Sequence, residues 1–499
     1  MKKKRVIIIG SGIGGLSVGA LLAKKGFEVL IFEKNQNFGG RVNFFNGNGH
    51  LFDMGPSWIL MEDIFEDFFK LFNKDFYKEL SIIKLDPSFK IVFDDKTSVT
   101  IYSELDVNRE TFENLEKGSF EKIKEYINLQ EKIYKIIKNE YIFNDINSLL
   151  GLVNPKFFSI FLKINPIASA HNKLKNIFKN EKILKILEFD FLFLGTDPKK
   201  APSVYGIINY FLFKQGVFYP LGGIYKIVQA LLQILKENNA KLFNNTPVKK
   251  ILVEDSEVKG VLLENGETIL ADYVISNADL FHTQINLLER EYRDYNEDYF
   301  KKLELAPSGF ILYVGLKEKL DQFIHHNFYF SKNWDLNFKQ IFNYNNLPDD
   351  PSFYICSASK SDPTVSPKNK DQLFILVPIS NGKYLNQESI NIFKEKIYKT
   401  IEEKFDIKNI KDLIEFERIY TPFDFIRDYN AYKGTALGII HDLKQTLFRP
   451  KIKSKKVKNL YYVGQYTYPG IGVPMVLVSG QIVYKKILNI RKGGPISEI

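Results

Sequence analysis

The chain has 499 residues, 45% of them hydrophobic, which is enough to bury a large core and to fill about three domain-sized units. Its formal charge of +10 comes from 69 Lys and Arg against 59 Asp and Glu, and the surplus is scattered rather than gathered into a basic patch with interleaved aromatics, which excludes nucleic acid as a partner. One cysteine, Cys356, excludes intrachain disulfides and thiol metal clusters; it sits in a strand-like stretch and is expected to be a core thiol.

The start, Met1-Lys2-Lys3-Lys4-Arg5 and an apolar run, has the charge pattern of a signal head, but the run is short and breaks directly into glycines, so it reads as a first strand. Residues 5–41 then read as strand, glycine turn, helix, strand and second glycine turn. Gly10-Ser11-Gly12-Ile13-Gly14-Gly15 satisfies G-x-G-x-x-G where a helix must begin, with Leu16, Ala20 and Ala23 at helical spacing behind it. Gly10 permits the tight turn, Gly12 lets backbone approach a pyrophosphate, and Gly15 lets helix and strand pack closely. The free N–H groups of the helix start favour an anion. Glu33 closes the second strand 18 residues after Gly15, where a carboxylate can accept both hydrogen bonds of an adenosine ribose diol. A dinucleotide is therefore expected. Gly39-Gly40-Arg41 and Asp53-Met54-Gly55-Pro56 form a second phosphate-facing turn with a fixed cation, which a flavin lying extended across the domain needs and a nicotinamide does not, so the expected cofactor is FAD.

After Pro56, the positions of Ile64, Phe65, Phe68, Phe69 and Phe72 predict an amphipathic helix. Short strands with an Asp94-Asp95 turn follow over 81–101, then roughly a hundred helical residues including an amphipathic stretch from Ser119 to Tyr141. Within that insertion, 154–180 combines Phe157, Phe158, Ile160, Phe161, Leu162 and Ile164 with Lys156, Lys163, Lys173, Lys175 and Lys179, a pattern that suits either an interfacial helix on anionic lipid or a helix docked on its own core. No apolar run reaches about 18 residues, so no transmembrane helix is expected and the protein reads as cytosolic or peripheral to a membrane. Gly222-Gly223 opens a helix, strands follow over 241–254 and 258–263 with an Asn265-Gly266 hairpin turn, and Leu270 to Asn277 is another strand. Residues 281–440 are mixed, with strands near 309–316, 352–359 and 373–379. The six histidines lack H-x-x-x-H or H-x-H spacing, and His325 and His326 point to opposite faces if their segment is extended, so no metal site is expected. Leu460 to Val463 is a strand, Pro469-Gly470-Ile471-Gly472 a turn, and Val473 to Ile487 a helix with Pro474 in its first turn.

The glycine turns resemble those of the amine-oxidase-like flavoproteins. GTDPKKAPS (195–203), YPLGGIY (219–225), TPFDFIRDYNAYKGTALGI (421–439), Phe448-Arg449-Pro450 and VGQYTYPGIGVPMVLVSG (463–480) resemble the bacterial phytoene desaturase family, including its diapophytoene branch, over nearly the whole chain. Gly434-Thr435-Ala436-Leu437 departs from the pattern, since family members usually carry GS before an aromatic there. The resemblance implies an α/β fold: a Rossmann-like FAD-binding domain of glutathione-reductase or amine-oxidase type, from 1–80, 216–280 and 440–499, and an inserted mixed α+β substrate domain with a helical membrane-facing part, from 81–215 and 281–439. It implies an FAD enzyme that removes hydrogen from a long apolar isoprenoid in carotenoid synthesis, peripheral on the cytoplasmic face of the membrane.

The expected cofactor residues are Gly10, Gly12, Gly14, Gly15, Glu33, Lys34, Gly40, Arg41, Gly55, Pro56, Ser57, Val248, Gly464, Gly472, Val473 and Pro474. Val248 stands where such proteins give backbone hydrogen bonds to adenine, and the helix starting at Val473 would favour negative charge on the reduced flavin. Asp424, Arg427 and Tyr429, or solvent, are the candidates for handling the second proton; at i and i+3 Asp424 and Arg427 also fit a local salt bridge. With no second G-x-G-x-x-G, the electron acceptor is expected to be diffusible, oxygen or a quinone. A carotenoid isomerase, a saturase-type flavoenzyme and a non-catalytic flavin or carotenoid-binding protein are the alternatives.

Overall fold

The computed structural model describes residues 3–144, 168–342, 347–382 and 385–499. Two sheets organise them. The first is five-stranded and parallel, in the spatial order Leu460–Tyr462, Tyr273–Ser276, Arg5–Ile9, Glu28–Phe32, Lys241–Phe243. A parallel sheet is covered on both faces, which is why its strands read as continuous apolar runs. Val6 and Ile8 point toward the helices Ile13–Lys24, Lys226–Glu237 and Val473–Ile487, while Ile7 and Ile9 point toward a three-stranded antiparallel meander (Val248–Glu254, Glu257–Leu263, Thr268–Leu270). The helices beginning at Ile13 and Val473 pack so closely that a Cβ on Gly480 would lie 2.0 Å from Ser17 Oγ.

The second sheet has seven strands, in the order Ile414–Tyr420, Ser308–Leu316, Gln372–Ile379, Phe353–Cys356, His326–Phe330, Phe89–Phe93, Ser98–Ile101. Its register places Ile91, Phe328, Tyr354, Leu376, Ile311 and Tyr420 in one row across six strands. Because side chains alternate faces, this row and its neighbours form one continuous apolar surface. The opposite face, including Phe310, Leu312, Tyr329 and Ile375, is sealed by the helix Gln387–Lys404 through Phe393, Ile397 and Ile401.

The predicted strands at 309–316, 352–359 and 373–379 appear as Ser308–Leu316, Phe353–Cys356 and Gln372–Ile379, and the C-terminal helix spans Val473–Ile487. Strands Phe44–Gly47, His50–Asp53, His326–Phe330 and Ile414–Tyr420 were not expected. The aromatic alternation in HNFYF and the alternation in IEFERIY were the available signals. His325 and His326 do not point to opposite faces: their ring centroids lie 4.3 Å apart, because the strand begins only at His326 and His325 belongs to the preceding turn. Most of the proposed lipid-facing stretch 154–180 lies outside the described residues; its end forms the helix Ala170–Ile177, which buries Ala170 and Leu174. Among the described residues, no helix is long and apolar enough to cross a membrane.

Candidate flavin and substrate cavity

A cavity of about 1130 Å³ runs from the C-terminal ends of the parallel strands to the apolar face of the seven-stranded sheet. Ligands of open α/β sheets bind at that end of the strands. Its volume exceeds the range of ordinary small-molecule pockets, leaving room for a dinucleotide and a second occupant.

The end of the cavity at the glycine turns is made largely of backbone. Gly10 turns at φ +89°, and the helix that follows starts at Gly12, which has no side chain to cap it; Gly15 N–H is taken by Asn277, and the N–H groups of Ile13 and Gly14 ahead of it face an anion site. A Cβ on Gly15 would lie 2.5 Å from Gly10 O, and one on Gly12 would lie 2.8 Å from Asn277 Oδ1. Ser11 donates from its N–H and hydroxyl to Glu33 Oε2 at 2.9 and 2.7 Å, and Asn35 N–H donates to Glu33 Oε1 at 2.9 Å. These bonds hold the carboxylate as an acceptor and occupy three of its roughly four lone-pair sites, leaving one on Oε1 for a ribose hydroxyl. Lys34 lines the wall beside it and donates from Nζ to Arg427 O at 2.7 Å. Burial pulls its ammonium below the usual lysine range, opposed by the charges of Glu33 and Asp428.

The second glycine turn bridges to the first through Gly12 and Gly39, with Gly39 N–H donating to Ser11 O at 3.0 Å. This delivers Gly40, Arg41 and Gly55-Pro56-Ser57 to the same wall. Arg41 lies with its guanidinium over the Tyr429 ring at 5.3 Å, and its buried Nε and Nη2 have no protein acceptor. A buried cation with unused donors is what a pyrophosphate requires. Val248, Gly464, Gly472, Val473 and Pro474 also line the cavity, and the C-terminal helix begins there at Gly472, φ +111°, without a side-chain cap. Uncapped helix starts, close glycine backbone and an unpaired guanidinium fit FAD.

Several wall residues escaped the sequence reading. Asn277, at the end of a predicted strand, accepts from Gly15 N–H at 2.9 Å and donates to Val463 O at 3.0 Å, joining two strand ends to the start of the helix Ile13–Lys24. Asp279 accepts from the N–H groups of Phe281 and Tyr432 at 3.0 and 3.4 Å. Burial pushes its carboxyl up, opposed by the Arg41 guanidinium. His282 is driven down to about 4, by burial and then by the charge of Lys34, so it is neutral at physiological pH. None of these stands in a short motif; their common signal is position just past a strand end.

Asp424 and Arg427 stand apart from the cavity lining. Asp424 closes a capping box with Thr421 at the start of the helix Pro422–Tyr429, and Arg427 pairs with Asp424 at 2.8 Å and with Asp428 at 2.6 Å. The same helix carries Phe425, Asp428 and Tyr429 into the wall. Beyond them lie Ile311, Phe328, Tyr354, Phe374 and Leu376 of the sheet face, with Phe189, Phe193 and Leu192 opposite.

The family model for flavin-containing amine oxidoreductases matches residues 13–487. A carotenoid 3,4-desaturase of Haloarcula japonica is 34% identical over 95% of this chain and 96% of that protein. A 4,4'-diapophytoene desaturase of Staphylococcus haemolyticus is 31% identical over 97% and 98%, and a zeta-carotene-forming phytoene desaturase of Myxococcus xanthus is 29% identical over 97% and 94%. An oxidoreductase structure from Methanosarcina mazei superposes with a TM-score of 0.62 at 18% identity, covering 97% of this chain and all of that one. Putrescine oxidase superposes at 0.60 and 12% identity, over 98% and 99%.

Proposed function

Because this chain belongs to the flavin-containing amine oxidoreductase family, we propose that it is an FAD-dependent desaturase removing hydrogen from a long isoprenoid of the carotene class. One observation carries the reading: the glycine turn and the apolar face of the second sheet wall a single continuous cavity. Bound at the glycine turn, FAD supplies hydride acceptance from an unactivated allylic carbon. The chain's own residues do the rest. Arg41 neutralises phosphate, Glu33 engages the ribose, and the Val473–Ile487 helix start offers N–H groups to developing negative charge. The sheet face excludes water and holds a polyene by area burial with few polar anchors. Asp424 and Arg427 act as positioning residues, setting the helix that presents Tyr429. The chain divides, in this reading, into a nucleotide part (1–80, 216–280, 440–499) and a substrate part (81–215, 281–439).

Peripheral attachment to the cytoplasmic membrane face belongs to the same proposal. Exposed Leu443 and Phe448 flank Thr446 at the cavity, and exposed Phe423 and Ile426 lie on the helix whose Phe425 and Tyr429 line it. These apolar groups give a lipid-borne substrate a docking edge. A diffusible oxidant, oxygen or a quinone, closes the cycle. Expression in cells that accumulate phytoene or diapophytoene tests the function: products lighter by two hydrogens per step, with red-shifted absorbance, are expected. Unchanged mass with altered retention would mean isomerisation and sink the desaturase reading.

A further inference from the structure

On the same sheet face as Phe328 and Tyr354, two residues further along the strands and outside the cavity lining, three potential metal ligands converge. His326 and Cys356 are cross-strand partners, and His325 folds back beside them, so that one ligand atom of each lies within 4.8 Å of the others. All three are buried. Both ring nitrogens of His325 and Nε2 of His326 have no hydrogen-bond partner, and the buried Tyr219 hydroxyl, whose ring lies 4.6 Å from that of His325, has none either. A core that leaves three imidazole nitrogens unsatisfied is paying for something other than packing.

The surroundings orient the cluster. Tyr354 lies with its hydroxyl 2.7 Å from His326 Nδ1, and Trp58 donates to the same hydroxyl at 3.0 Å while stacking on the His326 ring at 4.2 Å. With Nδ1–H as the donor to that hydroxyl, the lone pair is left on Nε2, the nitrogen without another partner, the arrangement in which a ligating histidine is held by an outer group. The carboxylates of Asp53 and Asp362 are close enough to act electrostatically on Cys356 and His325 respectively, and Asp53 Oδ1 is itself buried without a partner. Tyr354 and the Ala358 N–H also hydrogen-bond to Cys356, and Ser57 Oγ lies 2.8 Å from the Tyr354 hydroxyl.

We propose that His325, His326 and Cys356 bind one soft d10 cation, zinc(II) or copper(I). Binding forms a metal–thiolate bond and releases the thiol proton to solvent, with no change in oxidation state. Metal–nitrogen and metal–sulfur bonds of about 2.0 and 2.3 Å set the ligand atoms roughly 3.5 Å apart, so closure needs about 1 Å of side-chain rotation. Copper(I) with the thiolate and two neutral imidazoles leaves no net charge; zinc(II) leaves one positive charge, which Asp53 or Asp362 balances. The bound ion clips strand His326–Phe330 to strand Phe353–Cys356 behind Trp58 and Tyr354.

The test uses the full-length, flavin-loaded chain without a polyhistidine tag, loaded anaerobically with zinc(II) or with copper(I), then analysed by elemental mass spectrometry and X-ray absorption. The expected result is about one equivalent of one of the two metals, with one sulfur and two nitrogens bound, falling below a tenth in Cys356→Ser and His325→Gln at unchanged flavin content. Which absorption edge carries the signal separates zinc from copper. Cys356 is the sole cysteine, so a metal–sulfur shell near 2.3 Å identifies it even where a variant fails to fold. Less than a tenth of an equivalent of either metal in the unmodified chain, or a shell without sulfur, overturns the proposal.

Discussion

At the glycine turns the cavity wall is mainly backbone, whereas at the far end it is a sheet face of side chains. In the first, Gly10, Gly12 and Gly15 are demanded by atoms 2.5 to 3.3 Å from where a Cβ would stand. In the second, Ile311, Phe328, Tyr354 and Leu376 need only be apolar and of suitable size. The contrast teaches that a site for a charged, rigid cofactor is held by geometry that tolerates few residues, while a surface for an apolar chain is held by area, which many residues supply.

The sharpest way to break this comparison is Gly15→Val. The new Cβ meets Gly10 O, which is backbone and cannot yield, so flavin affinity should fall by more than a hundredfold; the flavin-to-protein absorbance ratio of the purified chain reads it. A matched change at the other end is Leu376→Trp. It should lower kcat/KM for the polyene by tens of fold through lost volume while flavin content stays at the wild-type level, and a parallel fall in flavin would refute the division into two ends. Glu33→Gln keeps the shape but removes charge-assisted acceptance from Ser11, a loss on the order of 1.5 kcal/mol. Flavin titration should show affinity reduced about tenfold.

Smaller effects lie between the ends. Asp53, on the segment linking the second glycine turn to the substrate side, is pushed up to about 7, first by burial. A carboxyl raised in the folded state contributes stability that is complete below its unfolded value near 4 and lost as pH rises through 7. The melting temperature should therefore fall over that interval, and Asp53→Asn should flatten the fall by a few degrees. Least of all, Asp424→Asn weakens the capping box and the pair with Arg427, at a cost of about 1 kcal/mol. Thermal melting should register it while kcat/KM changes by no more than about twofold; a loss of tenfold or more would give Asp424 a direct chemical role.

The glycine turns, the strand-closing Glu33 and the Val473–Ile487 helix were readable because local backbone geometry restricts which residues serve. Asn277 and Asp279 were not, since their partners Gly15 and Tyr432 are 262 and 153 residues away. The pairing of Asp424 with Arg427 was local and legible, yet only the three-dimensional structure showed that their helix turns Tyr429, not them, into the cavity. The same holds for His325 and His326, whose relation depended on where a strand began. By itself, then, the sequence determined the two glycine turns and the strands and helices that flank them, through steric demands acting over a few residues. Only the tertiary structure decided which apolar strands became neighbours, and so the shape of the second half of the cavity, because sheet register joins residues distant in the chain by contacts that no local pattern encodes.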